Sequence, residues 1–417
     1  MDIKSFDPII FNSLKSTIIT NFLTDPLSFL HTLHTTPILG YSGRYLNSII
    51  CQLTSDKTRL KPLGPSGKIG IPYLLTIDKD EDMIEEYILK RSHINFDINL
   101  RESPPTTLSI LTKYQDLLAS CHMDSIENLE NLDYLGLDEF TNEVMIAYIL
   151  DYLLSQIELP TYLRHDLGFT CGSYGYNLME YADMGTLDRV DDDNKWGMYY
   201  VDGIVDSEII WLIIQQLVIT LHYLESTVDY IHGDGKSANI FISSEPCFIK
   251  YYNIIVDSPI TCKIGDYGKS SLTFNNIRIY NHNRGADAYL RLDPFVPRIE
   301  LTTPPSYMIT RSTSIQLYTR LRHMGVPYYR GYDIYAFIVS MLLHPMIFGG
   351  FFRDGRMRGL WEVMWFEEDT EMMYQRILRA KSVETHSFGV IYKMLKNVRL
   401  KCPITSILLD YIDSYYS

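Results

Sequence analysis

Cysteine is scarce in this chain. Its 417 residues include 6, namely Cys51, Cys121, Cys171, Cys247, Cys262 and Cys402, and none of them form a C-x-x-C pair or stand at zinc-ligand spacing. Isolated thiols in so long a chain exclude a disulfide-stapled scaffold and read as reduced cysteines of an intracellular protein. Positive charge is also short. Lys and Arg number 37 against 51 Asp and Glu, a net charge of -14. Holding nucleic acid or anionic lipid as a main task needs a clustered basic surface, so neither is an expected partner. A long apolar run is missing as well. Residues 209–224 are broken by Gln215, Gln216 and His222, and residues 336–352 by His344, Pro345 and two glycines. A membrane span needs about 20 largely apolar residues, so both stretches read as buried helices. The first residues carry acids and no basic stretch ahead of an apolar one, so no secretory leader is expected and the expected location is cytoplasmic. What is plentiful is apolar residues, 46% of the chain, enough for a large core and two lobes.

The chemistry concentrates in residues 232–239, HGDGKSAN, which stand directly before the apolar Ile240, Phe241 and Ile242. One short loop there carries an acid (Asp234), a cation two residues on (Lys236) and an amide three further (Asn239). An acid so placed can accept a proton from an attacking hydroxyl, a lysine can face a transferring phosphoryl group, and an amide oxygen can ligate magnesium. A polar loop between a helix and a strand is common, so this pattern needs support from the rest of the chain.

Residues 1–58 alternate apolar clusters with Pro26 and Pro37 and read as a helical extension without chemistry. His31 and His34 are helix-spaced, but with no acid or cysteine near them they read as surface residues. In residues 63–75, LGPSGKIGIPYLL, Gly64, Gly67 and Gly70 recur every third position, and glycines let a backbone fold closely over phosphates. A Walker A loop is excluded, because Pro62 and Ile69 stand where that motif needs Gly and Ser or Thr. Across a charged turn at 78–86, EYILKR ends in Lys90, which an antiparallel pairing would bring under the glycines. Residues 95–135 read as an insertion. Residues 140–154 form an apolar helix whose Glu143 needs a partner, since an unpaired buried charge is costly; Lys90 is the candidate and Glu139 the alternative acid. Residues 176–187, YNLMEYADMGTL, read as a buried strand whose Glu180, Tyr181 and Ala182 offer backbone groups to a flat heterocycle. In CKIGDYGKS, Asp266 stands at a strand end beside a glycine, where a carboxylate can reach a metal between phosphates. Residues 331–343 form an apolar helix with Asp333 in its first turn, placed to cap backbone N–H groups or hold the 232–239 loop from below.

Taken in order, these pieces resemble the eukaryotic-type protein kinase family from about residue 60 to the C-terminus. The resemblance implies an α+β, bilobal fold with a helical extension at 1–58, a β-rich lobe at 59–182 that includes the insertion, and a larger helical lobe at 183–417. It implies ATP and Mg2+ as cofactors and protein Ser/Thr hydroxyls as acceptors. Gly64, Gly67 and Gly70 would then cover the phosphates, with Gly64 one position displaced from the family pattern. Lys90 and Glu143 would be the lysine–glutamate pair, and Glu180, Tyr181 and Ala182 the hinge. Asp234 and Lys236 would be the catalytic residues, and Asn239 and Asp266 the metal ligands. A lysine two positions after Asp234 is the Ser/Thr form. The chain departs from the family at Gly233, where an arginine is usual, at Tyr267 for Phe, and in lacking a clear A-P-E. Those departures admit a non-enzymatic relative or a small-molecule kinase as alternatives. The composition, rich in Ile, Asn and Tyr, is similar to that of kinases of large DNA viruses, which would place it in host cytoplasm or virion.

Overall fold

The computed structural model describes residues 58–63, 70–80, 83–93, 99–101, 133–171, 174–281, 332–364 and 405–416. Among these, strands and helices are both present, and the strands form several small sheets. The expectation of an α+β class holds at that level. Of the 1–58 extension all but Thr58 lies outside the described residues, as do Gly64, Gly67 and the A-P-E region.

The first sheet has the order β1-β2-β3-β7-β6, with β1 Thr58–Pro62, β2 Gly70–Asp80, β3 Met83–His93, β6 His165–Cys171 and β7 Tyr174–Glu180. Every pairing in it is antiparallel. The β2/β3 pair is longer than the sequence reading, because the acidic residues 78–80 and 83–86 continue the ladder instead of turning. Pairing there leaves Ile84 and Glu86 exposed. Lys90 sits opposite Pro72 on one side and Asn177 on the other.

Between β5 (Asp133–Leu137) and the first sheet lies helix α1 (Glu139–Ser155). Asp138 caps it, its carboxylate accepting from the N–H groups of Phe140 at 3.1 Å and Thr141 at 3.2 Å. From Phe140 to Leu150 every residue is buried, so α1 is covered on all sides rather than along one stripe. The stretch read as an insertion contributes two strands, β4 (Asn99–Arg101) and β5, to a second sheet of order β15-β16-β5-β4, where β15 is Ser271–Phe274 and β16 is Ile277–Asn281. There β16 runs parallel to β5, with Ile277 opposite Asp133 and Asn281 opposite Leu137.

Helix α2 (Ser207–Val228) is the centre of the core, with Ile213, Ile214, Val218, Ile219 and Leu221 fully shielded. It is long and apolar enough to cross a membrane by length and composition, and 78% of its most apolar window is buried inside the fold. Its buried Gln216 is satisfied by strand β14 (Thr261–Ile264) and its approach: the amide donates to Ile260 O at 3.2 Å and accepts from Cys262 N at 2.8 Å. A short sheet joins β14 to β11 (Ile240–Ser243) and β8 (Gly185–Thr186), while β9 (Tyr200–Val201) pairs with β10 (Ile204–Val205) and β12 (Cys247–Tyr251) with β13 (Ile254–Ser258). Helices α3 (Tyr332–Leu342), α4 (Pro345–Arg353), α5 (Gly355–Met364) and α6 (Thr405–Asp413) pack around α2. The second apolar stretch of the sequence is thus two helices, α3 and α4, meeting at 105°.

Candidate active site

The 232–239 loop is anchored from two sides. Before it, Ile231 exchanges two backbone hydrogen bonds with Ser271, each 2.8 Å. Beneath it, the Asp333 carboxylate at the start of α3 accepts from His232 N at 2.6 Å and Gly233 N at 3.0 Å. Gly233 has φ +73°, a left-handed conformation that glycine adopts without penalty. Gly235 is packed so closely on α3 that an added Cβ would lie 2.8 Å from Ala336 Cβ and 3.1 Å from Asp333 O.

The His232 ring is fully buried. Its Nδ1 accepts from Asp234 N at 3.2 Å, so Nε2 carries the proton and donates to Gly265 O at 2.9 Å. Burial holds its pKa below the ordinary 6.5, although Asp333, Gly265 O, Asp234 and Asp266 all oppose that. The ring also packs edge-on to Phe337, with centroids 5.1 Å apart, and near Tyr267 at 6.4 Å.

Every hydrogen bond to the Asp234 carboxylate among the described residues falls on one oxygen. Oδ2 accepts from Lys236 Nζ and Lys269 Nζ, each at 2.8 Å, and from Asn239 Nδ2 at 3.4 Å. Asn239 Nδ2 also donates to Asp234 O at 2.9 Å. Burial works to raise the Asp234 pKa, and the two ammonium groups outweigh it, holding the carboxyl well below its usual range. It is ionised at neutral pH.

On the facing element, Lys90 Nζ lies 2.9 and 3.0 Å from the two Glu143 oxygens and 2.7 Å from Asp266 Oδ1. Burial alone would favour neutral lysine, but two carboxylates so close keep Lys90 protonated and its pKa raised. Burial pushes the Glu143 pKa upward, against the pull of Lys90. Glu139 does not take this place. It lies against Gly268, where an added Cβ would come 2.8 Å from its Cγ. Asp266 has φ +63°, a conformation that Asp tolerates better than most residues, and its carboxyl is held low: burial opposes, while Lys90 and Lys236 prevail.

The two halves meet through the backbone. Gly265 N donates to Asn239 O at 3.0 Å, so Asn239 and Asp266 lie on adjacent, bonded segments. Of the residues singled out in the sequence, Lys90, Glu143, Asp234, Lys236, Asn239 and Asp266 form one charged cluster. Glu180, Tyr181 and Ala182 border a neighbouring cavity of about 580 Å³, lined also by Leu63, Ile88 and Phe241. The Glu180 carboxylate is taken up by Arg164 N and Lys263 Nζ, each at 2.6 Å. Gly70 opens β2 opposite Ser92, two residues past Lys90.

Three participants escaped the sequence reading. Lys269 stood in the quoted CKIGDYGKS, but nothing in its spacing tied it to Asp234. Asn142, next to Glu143 on α1, donates to Ser270 O at 2.9 Å and to Tyr267 O and Gly268 O at 3.3 Å. Asn281 on β16 adds a bond to Gly268 O at 2.7 Å. Side-chain amides on apolar elements carry no local signature of what they bind.

No family model matches the chain. Over 329 residues it is 25% identical to a protein of Acanthamoeba polyphaga mimivirus named "Putative serine/threonine-protein kinase", an alignment covering 64% of this chain and 47% of that protein. The likeness is distant and kinase-like. The chain spans about half the length of this relative.

Proposed function

We propose that the chain is a protein kinase that transfers the γ-phosphoryl group of ATP, with Mg2+, to Ser or Thr hydroxyls of protein substrates. The observation that carries this reading is the double ion pair of Lys90, which joins residues 53 and 176 positions apart in sequence at 2.9 and 2.7 Å. The amino-terminal sheet with α1 would then form one lobe, the α2-centred helices the other, and the cavity beside Glu180–Ala182 would take the adenine.

The donor set fits a magnesium nucleotide. Asn239 spends its Nδ2 on Asp234, which leaves its amide oxygen, and Asp266 spends Oδ1 on Lys90, which leaves Oδ2. Magnesium takes oxygen ligands and is held by one or two carboxylates together with substrate phosphates. When bound, the metal nucleotide supplies the phosphoryl group and neutralises the charge that develops on it.

The remaining tasks fall to side chains. Glu143 holds the Lys90 ammonium where nucleotide phosphates would meet it. Asp234, anchored by Oδ2, presents Oδ1 to an acceptor hydroxyl, orients it and receives its proton. Lys236 faces the transferring group.

Incubation with magnesium and γ-labelled ATP is expected to place label on Ser or Thr of an acceptor protein or of the chain itself. The Asp234→Asn variant is expected to lose roughly a hundredfold or more in rate. Absence of label from the wild-type protein, or an unchanged rate in the variant, would sink the proposal.

A further inference from the structure

Two lysines converge on one oxygen of Asp234, yet the loop motif accounts for only one of them. Lys236 Nζ and Lys269 Nζ both stand 2.8 Å from Oδ2. Two ammonium groups sharing an acceptor repel each other, so the arrangement persists only if something other than the carboxylate fixes at least one of them.

Lys269 is the fixed one. It ends the short turn Tyr267–Lys269, whose carbonyls are held by Asn142 and Asn281 from α1 and β16, while Gly268 is pressed against Glu139. Its side chain is 17% exposed, against 40% for Lys236. The turn leads directly into β15 and β16, so its position is set by a sheet and a helix rather than by the 232–239 loop.

We propose that Lys269 is a positioning residue for Asp234, the permanent partner that keeps Oδ2 in place when Lys236 turns to an incoming phosphoryl group. A carboxylate held by Lys236 alone would lose its orientation at the moment that lysine engages phosphate. With Lys269 present, Oδ1 stays directed at the acceptor hydroxyl, and one of the two positive charges becomes available to the nucleotide. Glu139, pressed against Gly268, also feels the Lys269 charge.

The kinetic arm of the test rests on the kinase reading; the structural arm does not. For variants that melt like the wild-type protein, Lys269→Met is expected to lower kcat on the order of a hundredfold, as misplacement of a reacting group does, with the KM for ATP unchanged. Lys269→Arg, which keeps the cation, is expected to restore most of that loss. In crystals of the nucleotide-free variants, the Asp234 carboxylate is expected to turn from its place in Lys269→Met and to keep it in Lys236→Met. A wild-type kcat in Lys269→Met, a loss confined to KM, or a carboxylate unmoved in that variant overturns the proposal. Should the wild-type protein transfer no phosphate, the kinase reading fails and the crystal comparison alone decides the role of Lys269.

Discussion

His232 illustrates how burial and bonding at a single side chain fix a protonation state. Its ring is neutral in the fold because protonation would strand a charge in the core and leave Nδ1 without a lone pair for Asp234 N–H. In the unfolded chain it titrates near 6.5. The folded pKa lies lower, so as pH falls below about 6.5 the unfolded state takes up a proton that the folded state refuses, and stability declines. The His232→Gln variant is expected to flatten that part of the stability-versus-pH curve, measured by urea unfolding; an unchanged slope would mean that His232 is protonated in the fold. The neighbouring glycines differ in what they tolerate. Gly233→Ala meets an unfavourable left-handed φ, a loss of roughly 1 kcal/mol. Gly235→Ala must displace Ala336 and the α3 backbone, which brings about 1–3 kcal/mol of overpacking. Denaturant midpoints are expected to rank Gly235→Ala below Gly233→Ala, and the reverse order would contradict the packing described.

At the level of elements, helix α1 and the turn after Asp266 form one unit. Asn142 reaches three carbonyls of that turn, and β16 pairs in parallel with β5, the strand that leads into α1. The helix that carries Glu143 and the turn that carries Asp266 and Lys269 therefore cannot move independently. Replacing Asn142 with Ala strips buried carbonyls of their donor, a loss of about 1–3 kcal/mol. Hydrogen exchange is expected to quicken at residues 268–271 while the α2 amides keep their protection. Unchanged exchange in the turn would show that β16 alone holds it. The sequence revealed α1 and Glu143 through apolar density and a single acid; the Asp138 cap emerged only in the structure. The sequence did not reveal β15 and β16: β16 pairs in parallel with a strand 144 residues away, and the two-residue turn Asn275-Asn276 between them, both at positive φ, is short and lacks the glycine that marks such hairpins most plainly.

For the whole molecule, nucleotide binding would couple to stability. A ligand that binds only the folded chain stabilises it by about 2.7 kcal/mol at a concentration one hundred times its Kd. Magnesium with ATP is therefore expected to raise the melting temperature, and Asp266→Asn to abolish the magnesium-dependent part of the rise. A rise equal with and without magnesium would remove Asp266 and Asn239 from metal binding. The local sequence determined the types of chemistry present: acid, lysine and amide at fixed spacing on one loop, a lysine at the end of a strand, an acid on an apolar helix. Those follow from near-neighbour geometry, which spacing encodes. Only the tertiary structure decided which charges meet. It chose Glu143 over Glu139 for Lys90, placed Asp333 beneath His232 and Gly233, and brought Lys269 to Asp234, because such pairings depend on the docking of distant elements, which no local pattern records.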